Sequence, residues 1–194
     1  MTSQAPVLFL DLGSPYAYLA LERAESVLGR APELQPVLLG AIFAKRGFGS
    51  WSKTSARTAR AAEIEGRAMR YGLPPLKWPA VWPANGLQAM RCAIWTKQQG
   101  VAKEFAKAVF HREFAEGGDI SERELLLECV RDVGLSSEDA DHAMELLGIK
   151  QALRDATDAA WDAGVRGVPS LGLAGSIFYG DDQLELAAAA LSAA

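Results

Sequence analysis

Ser14 is the first residue in the chain that could do chemistry, because it stands next to a proline at a predicted helix start. Proline is favoured in the first turn of a helix and serine at the capping position before it, so Ser14-Pro15 predicts a helix that begins here. A hydroxyl beside free helix N–H groups can donate a hydrogen bond to a bound thiolate and lower the pKa of that substrate thiol. The alternative is a plain N-cap with no further role.

Two groups of residues near the other end of the chain could bind a ligand. In Gly167-Val168-Pro169 a proline precedes a short strand. Such a bond can be cis, with the Val168 backbone pairing to a peptide-like ligand, or it can be an ordinary trans proline that starts an edge strand. Asp181 and Asp182 open the last predicted helix, either as simple caps or as partners of a ligand ammonium while helix N–H groups take an adjacent carboxylate.

A basic segment lies between residues 45 and 70, which hold seven lysines or arginines against Glu63 and Glu65. At about 100° per residue, four of its arginines share one broad helix face. One interpretation of this pattern is a helix face exposed to solvent. The other is a helix from which one of these side chains reaches into a cleft and holds an anionic ligand. The four are Arg57, Arg60, Arg67 and Arg70.

The composition excludes several kinds of site and partner. A net charge of −4 argues against nucleic acid as the main partner. Cys92 and Cys129 are too far apart in the sequence for a zinc knuckle or a Cys-x-x-Cys pair, and the two histidines do not have the spacing of metal ligands. We therefore expect no bound metal, and we expect both thiols to be buried. Without a bilayer-spanning apolar stretch or a targeting signal at the start, the expected compartment is the cytoplasm, with reduced thiols.

The elements that must position these residues fall into three parts along the chain. The first 40 residues predict a strand, a helix and a second strand, the middle shows only helical patterns, and the end predicts a helix, two short strands and a helix. The predicted strands cover 7–12, 34–39, 168–173 and 177–179, and the predicted helices cover 15–28, 54–71, 86–99, 101–115, 121–133, 137–147, 149–163 and a last segment from 181.

This order predicts an α/β protein with a thioredoxin-like fold that carries a large all-helical insertion, as in DsbA-like proteins. Residues 1–40 plus 150–194 are the expected thioredoxin-like domain, and residues 41–149 are the expected insertion domain. The two sheet-forming parts must pair into one sheet to bury their apolar faces. A ligand cleft is therefore expected between sheet and insertion, where Ser14 and Pro169 meet.

The redox positions of that fold lack cysteine here. Thioredoxin-like redox proteins open the first helix with Cys-x-x-Cys, whereas this chain has Ser14 and Ala17 at that spacing. Disulfide exchange is therefore not available at this site, and any reactive sulfur must come from a bound substrate.

The chain resembles the 2-hydroxychromene-2-carboxylate isomerase family, which is related to kappa-class glutathione transferases within the DsbA-like thioredoxin-fold group. The similarity covers nearly the whole chain and is specific through the order and spacing of its motifs. These are Phe9-Leu10-Asp11-x-x-Ser14-Pro15-Tyr16-Ala17-Tyr18-Leu19-Ala20, Pro36-Val37-Leu38-Leu39-Gly40, Gly72-Leu73-Pro74, Asn85-Gly86-Leu87, Ala89-Met90-Arg91, Glu116-Gly117-x-Asp119-Ile120-Ser121, Gly167-Val168-Pro169 and Gly180-x-Asp182.

The resemblance implies glutathione as cofactor and assigns residues to it. It implies that Ser14 stabilises the glutathione thiolate and that Val168, before an expected cis Pro169, pairs with the cysteinyl backbone. It also implies that Asp181 and Asp182 receive the γ-glutamyl end. Arg57 stands near the place of a family lysine and is the expected partner of a ligand carboxylate.

The resemblance further implies a glutathione-dependent cis–trans isomerase that acts on a conjugated acid derived from an aromatic compound. A homodimer is a further expectation. The thiolate would add reversibly to the substrate, allow ring opening and rotation about a former double bond, and then leave. Two tryptophans could wall the aromatic substrate or pack in the core, and an asparagine matches a family residue near the substrate. The expected substrate contacts are Pro15, Tyr16, Trp78, Trp82 and Asn85.

The sequence departs from the family pattern at Gly13, where a bulky apolar residue is usual, at Gln183, where an arginine is common, and at Phe114-Ala115, where a tryptophan is common. These departures affect the expected substrate more than the expected fold. Two alternatives therefore stay open: a kappa-like glutathione transferase or peroxidase, and a thioredoxin-like binding protein without redox activity.

Overall fold

The computed structural model describes residues 5–47 and 49–192, and the outer ends predicted for the thioredoxin-like domain, residues 1 and 194, lie outside them. Four strands form one sheet in the order β2-β1-β3-β4. β1 pairs in parallel with β2 and antiparallel with β3, and β3 pairs antiparallel with β4. This mixed sheet joins both ends of the chain and confirms the predicted fold class. The strands are β1 (Val7–Leu10), β2 (Glu33–Pro36), β3 (Ser170–Leu173) and β4 (Ser176–Tyr179).

The first helix, α1 (Pro15–Leu28), begins and ends where the sequence predicts. Ser14 caps its start, and Gly29 ends it in the left-handed conformation at φ 70°, which glycine adopts without steric penalty. Its buried face, which includes Leu19 and Ala20, belongs to the same buried cluster as Leu8 and Leu10 of β1, so α1 and β1 share one core.

Helices form the middle of the chain, and a 3-10 turn at Trp51–Lys53 and a π-helical turn at His111–Ala115 interrupt them. Most predicted helices are confirmed within a few residues. The helices are α2 (Leu39–Arg46), α3 (Arg57–Arg70), α4 (Leu87–Gln98), α5 (Ala102–Phe110), α6 (Arg123–Asp132), α7 (Ser137–Ala143), α8 (Leu147–Asp162) and the C-terminal α9 (Leu184–Ser192).

The prediction of a strand over 34–39 is wrong at its end, because β2 stops at Pro36 and α2 starts at Leu39. The cause is a contact from a distant part of the chain. The backbone N–H of Leu39 donates a hydrogen bond to Asp11 Oδ2 at 2.8 Å, which supplies the cap that the α2 sequence itself lacks.

Sheet and helical block share one hydrophobic core. Leu8, Leu10 and Leu171 of the sheet belong to the same buried cluster as Met90 and Phe105 of the helices. The boundaries predicted for the two domains fall inside α2 and α8, so both crossings between them are helical. Among the described residues no helix is both long and apolar enough to span a bilayer.

Candidate functional site

Ser14 lies at the N-terminus of α1, where it is 4% exposed. Its Oγ accepts a hydrogen bond from the Ala17 N–H at 3.3 Å, and its hydroxyl proton has no acceptor among the described residues. The Tyr16 N–H, in the same helical turn, likewise has no acceptor in that part of the structure. Two donors therefore converge at a helix N-terminus, where the helix dipole favours a bound anion.

Asp11 holds the loop that presents Ser14. Its Oδ1 accepts from the Gly13 N–H at 3.0 Å, and its Oδ2 accepts from the Leu39 N–H at 2.8 Å. Burial raises the pKa of the Asp11 carboxyl, and these two backbone hydrogen bonds partly offset that effect. Asp11 thus ties the Ser14 loop to the start of α2 and is itself fully occupied by structural contacts.

A cavity of about 1400 Å³ opens in front of Ser14, between the ends of the strands and the helical block. This Ser14 cavity is large enough for two small molecules, since ordinary ligand pockets measure about 300–1000 Å³. Most of the predicted site residues line it. They are Ser14, Pro15, Tyr16, Trp82, Asn85, Val168, Pro169, Asp181 and Asp182.

Val168 and Pro169 also form part of the cavity wall, and the peptide bond between them is cis, the first of the two predicted alternatives. Neither the N–H nor the C=O of Val168 makes a hydrogen bond to any residue that the structure describes. Pro169 C=O accepts from the Gly180 N–H at 3.0 Å, which joins this wall to the segment that carries Asp181. The Val168 backbone is therefore able to pair with an extended ligand.

Aromatic side chains form another wall. Trp51 contacts Tyr16 and Trp82, with ring centroids 6.1 and 5.4 Å apart. Trp78 does not line the cavity: it packs behind Trp82 at 4.8 Å, and its indole N–H donates to Glu65 Oε1 at 2.7 Å. The structure thus assigns a wall position to Trp51, which sequence reasoning missed, and a supporting position to Trp78.

Arg57 also lies outside the cavity wall, contrary to the sequence prediction. It is exposed in the first turn of α3, and its guanidinium stands over the Trp82 ring at 5.7 Å. The basic residues that do line the cavity are Arg46, Lys53, Arg60 and Arg67.

Lys53 differs from Arg60 and Arg67 because it has no ion-pair partner among the described residues. Arg60 donates to Glu63 at 2.9 Å, and Arg67 donates to Glu63 and to Asp181, each at 2.7 Å. A cation without a carboxylate partner at a cavity wall is the side chain best able to hold a ligand carboxylate. Its position in the 3-10 turn after α2 gave no periodic signal in the sequence.

Asp181 is 1% exposed and fully engaged by protein groups. Its Oδ1 accepts from Arg67 at 2.7 Å and its Oδ2 from the Tyr71 hydroxyl at 3.0 Å. Burial raises the pKa of Asp181, and the charge of Arg67 opposes that rise. Burial lowers the pKa of Arg67, but its carboxylate partners outweigh this effect and hold that pKa above its ordinary value. Asp182 also lies near Arg67, with Oδ2 3.3 Å from the guanidinium, but its side chain is 52% exposed, so it is the more accessible of the two carboxylates for a ligand ammonium.

Asn85 stands at the rim beside the start of α4. Its side-chain oxygen accepts from the Leu87 N–H at 3.2 Å, and no described residue contacts its NH₂ group through a hydrogen bond. Cys92 and Cys129, by contrast, are buried in the helical block, where burial raises the pKa of Cys92 to about 12 and of Cys129 to about 11. The described residues contain no cluster of three or more metal-ligating side chains.

Comparison with known proteins places this geometry in a family. A 2-hydroxychromene-2-carboxylate isomerase from Sphingobium xenophagum is 27% identical over 186 residues, which cover 91% of this chain and 92% of that one. A solved 2-hydroxychromene-2-carboxylate isomerase superposes with a TM-score of 0.86 at 20% identity, covering 98% of this chain and 95% of its own. A probable DsbA oxidoreductase from Streptomyces coelicolor follows at a TM-score of 0.74 and 17% identity, covering 97% and 89%. Because the DSBA-like thioredoxin domain matches residues 7–192, the chain belongs to that family.

Proposed function

We propose that this protein is a glutathione-dependent isomerase of conjugated acids derived from aromatic compounds, with Ser14 stabilising the glutathione thiolate. The observation that carries the proposal is the Ser14 hydroxyl, which is oriented by the Ala17 N–H and keeps its proton free at the N-terminus of α1. The isomerase names of two similar proteins support the reaction class. We also propose a cytoplasmic location, where glutathione is kept reduced, and a homodimer stays a prediction.

The residues around the Ser14 cavity fit glutathione in an extended conformation. The Val168 N–H and C=O can pair with its cysteinyl backbone, which directs the sulfur to the Ser14 hydroxyl and the Tyr16 N–H. Asp182 can receive the γ-glutamyl ammonium, because it is half exposed, with its nearest oxygen 3.3 Å from Arg67, whereas Asp181 is buried and bound to both Arg67 and Tyr71. Lys53, with no ion-pair partner in the described structure, can hold a ligand carboxylate.

The chemistry needs a stabilised thiolate and space for the substrate to rearrange. Glutathione, when bound, supplies a thiolate that adds reversibly to the conjugated acid and leaves unchanged, so no oxidant is required. Ser14 and the Tyr16 N–H lower the pKa of the thiol by hydrogen bonding to its charged form. Trp51 and Trp82 pack against an aromatic ring, and the cavity of about 1400 Å³ leaves room for rotation.

The proposal is tested with Ser14→Ala and its control Ser26→Ala, which removes an exposed hydroxyl on the same helix. Loss of the donor should lower kcat/KM for 2-hydroxychromene-2-carboxylate about 10²-fold, the scale known for one preorganised donor. It should also raise the pKa of bound glutathione, followed by thiolate absorbance. If wild-type protein neither binds glutathione nor converts this acid, the result would instead favour the alternative of a thioredoxin-like binding protein without redox activity.

A kappa-like glutathione transferase is the second candidate, and Gly13 is the observation that favours it. A Cβ at this position would meet Asp11 Oδ1 at 3.6 Å and Ile120 Cδ1 at 3.7 Å, ordinary contact distances, so the glycine leaves the cavity wall open beside Ser14. An open wall admits electrophiles of varied shape. Conjugation of a chlorodinitrobenzene that exceeds turnover of the acid, and that falls in Ser14→Ala, would favour the transferase.

A further inference from the structure

A second cavity lies between α2, α4 and α8, next to the Ser14 cavity. It has a volume of about 300 Å³, within the range of pockets that bind small molecules. Leu38 and Leu87 line both cavities and form the partition between them. We call this second cavity the Arg91 groove, after the α4 residue on its wall.

The Arg91 groove combines an apolar floor with basic walls. Leu38, Leu87 and the buried Leu153 supply apolar surface. Arg91 comes from α4, and Lys150 and Arg154 come from one face of α8, since residues four apart on a helix are neighbours. This pairing of an apolar floor with cationic walls suits a ligand that has an apolar body and a negatively charged end.

The charges in the groove are not balanced by the protein. Lys150 is paired with Glu145 at 2.9 Å. Asp158, the one carboxylate among the described residues of the wall, is paired with Lys45 at 2.6 Å. Among the described residues, Arg91 makes only a long hydrogen bond to Gln88, at 3.4 Å. Arg154 has no hydrogen bond or ion pair with any residue that the structure describes. Two guanidinium groups thus line a cavity without a carboxylate partner.

We infer that the Arg91 groove binds a small carboxylic acid with an apolar body, with Arg91 and Arg154 holding the carboxylate and the leucines holding the apolar body. A guanidinium presents paired N–H donors that match the two oxygens of a carboxylate, and this match favours a carboxylic acid over a neutral ring. The acid is either the substrate of the reaction proposed above or a different acid, and the chemistry of recognition is the same. The site itself does not depend on that proposed reaction.

Titration calorimetry with 2-naphthoate, and with the neutral 2-naphthamide of the same shape, tests the site. Wild-type protein should bind the carboxylate more tightly than the amide. Arg91→Gln and Arg154→Gln should each weaken 2-naphthoate binding about tenfold, because each removes a charge-assisted contact. Arg70→Gln, an exposed arginine outside both cavities, is the matched control and should leave binding unchanged. Thermal melting checks that each variant is folded.

The Lys53→Gln variant separates the Arg91 groove from the Ser14 cavity. The site is overturned if 2-naphthoate does not bind, if both arginine variants bind it as wild type does, or if only Lys53→Gln loses it. Failure of the proposed reaction would instead appear as absent turnover with 2-naphthoate binding intact. If the Arg91→Gln/Arg154→Gln variant has a higher KM for the substrate acid, the acid that binds in the groove is that substrate. If the KM is unchanged, the groove binds a different acid.

Discussion

Ser14 has the surroundings of a hydrogen-bond donor rather than of a nucleophile. A catalytic serine needs a base within hydrogen-bond distance of its hydroxyl, usually a histidine held by a carboxylate. The Ser14 hydroxyl instead accepts from the Ala17 N–H, and the nearby carboxylate of Asp11 is occupied by the Gly13 and Leu39 backbones. Among the described residues no group is placed to remove its proton, so we expect this serine to donate that proton in a hydrogen bond to a bound anion.

Lys53 and Arg57 provide a direct test of which cation serves the Ser14 cavity. Lys53→Gln should raise the Kd for glutathione or the KM for the acid about tenfold, because Lys53 lines the wall and has no carboxylate partner in the described structure. Arg57→Gln should leave both constants within about twofold, since Arg57 stands over the Trp82 ring and does not line the cavity. Calorimetry and steady-state kinetics measure the two constants. The reverse pattern would restore the sequence-based assignment.

Glu113 is the second residue whose surroundings predict a measurable effect. It is fully buried in the π-helical turn, and neither carboxyl oxygen has a hydrogen-bond partner among the described residues. Burial raises the pKa of Glu113 well above its ordinary value, and the charges of Asp11 and Asp119 raise it further. The folded state therefore keeps a proton that the unfolded state releases, and stability falls as the pH rises from the ordinary glutamate pKa toward the raised one.

The variant Glu113→Gln removes that pH dependence, because glutamine stays neutral. The free energy of unfolding of Glu113→Gln relative to wild type should rise by about 1.4 kcal/mol per pH unit above the ordinary glutamate range. The pKa of Asp11 is also raised, but Asp11 is present in both proteins. Its contribution therefore cancels when the free energy of unfolding of wild type is subtracted from that of Glu113→Gln. Urea titrations at several pH values give the difference, with the exposed Glu122→Gln as control. A difference that stays flat with pH would show that Glu113 is ionised.

At the scale of elements, the sequence predicted what local signals determine and missed what distant contacts determine. The start of α1 followed from Ser14-Pro15 and its end from Gly29, because caps act within one turn. The start of α2 was missed because its cap is Asp11, 28 positions away. Lys53 was counted in the basic segment but was not selected as the ligand partner. The reason is related, since a short 3-10 turn rather than a regular helix sets the direction of its side chain.

The link between α3 and the segment before α9 leads to an element-scale prediction. Arg67 and Tyr71 of α3 bind the buried Asp181, so removing the Asp181 charge leaves a partly buried guanidinium without its main partner. Asp181→Asn should lower the free energy of unfolding by about 3 kcal/mol. Asp182→Asn should change it by less than about 0.5 kcal/mol, because that side chain is half exposed. Chemical denaturation compares the two, and equal losses would contradict the assigned roles.

At the scale of the molecule, the Ser14 cavity exists because two parts of the chain pack on one core. Ser14 and Val168 come from the sheet-forming part, and Trp51, Lys53 and Trp82 come from the helical block. The contact between the parts is direct: the Leu12 N–H lies 3.2 Å from the Met90 sulfur, and both residues are completely buried. The site is therefore complete only when both parts are folded and in register, which links binding to global stability.

This shared core predicts that the sheet and the helical block unfold together. Pulsed hydrogen exchange along a urea series should show peptides from β1 and from α4 losing protection at the same urea concentration. Met90→Ala should lower the free energy of unfolding by about 2–5 kcal/mol, because it leaves a cavity where the two parts meet. It should shift both peptides by the same amount, whereas the exposed Met69→Ala should shift neither. If β1 and α4 lost protection at separate urea concentrations, the two parts would be independent domains, and the boundaries at residues 40 and 150 would mark folding units.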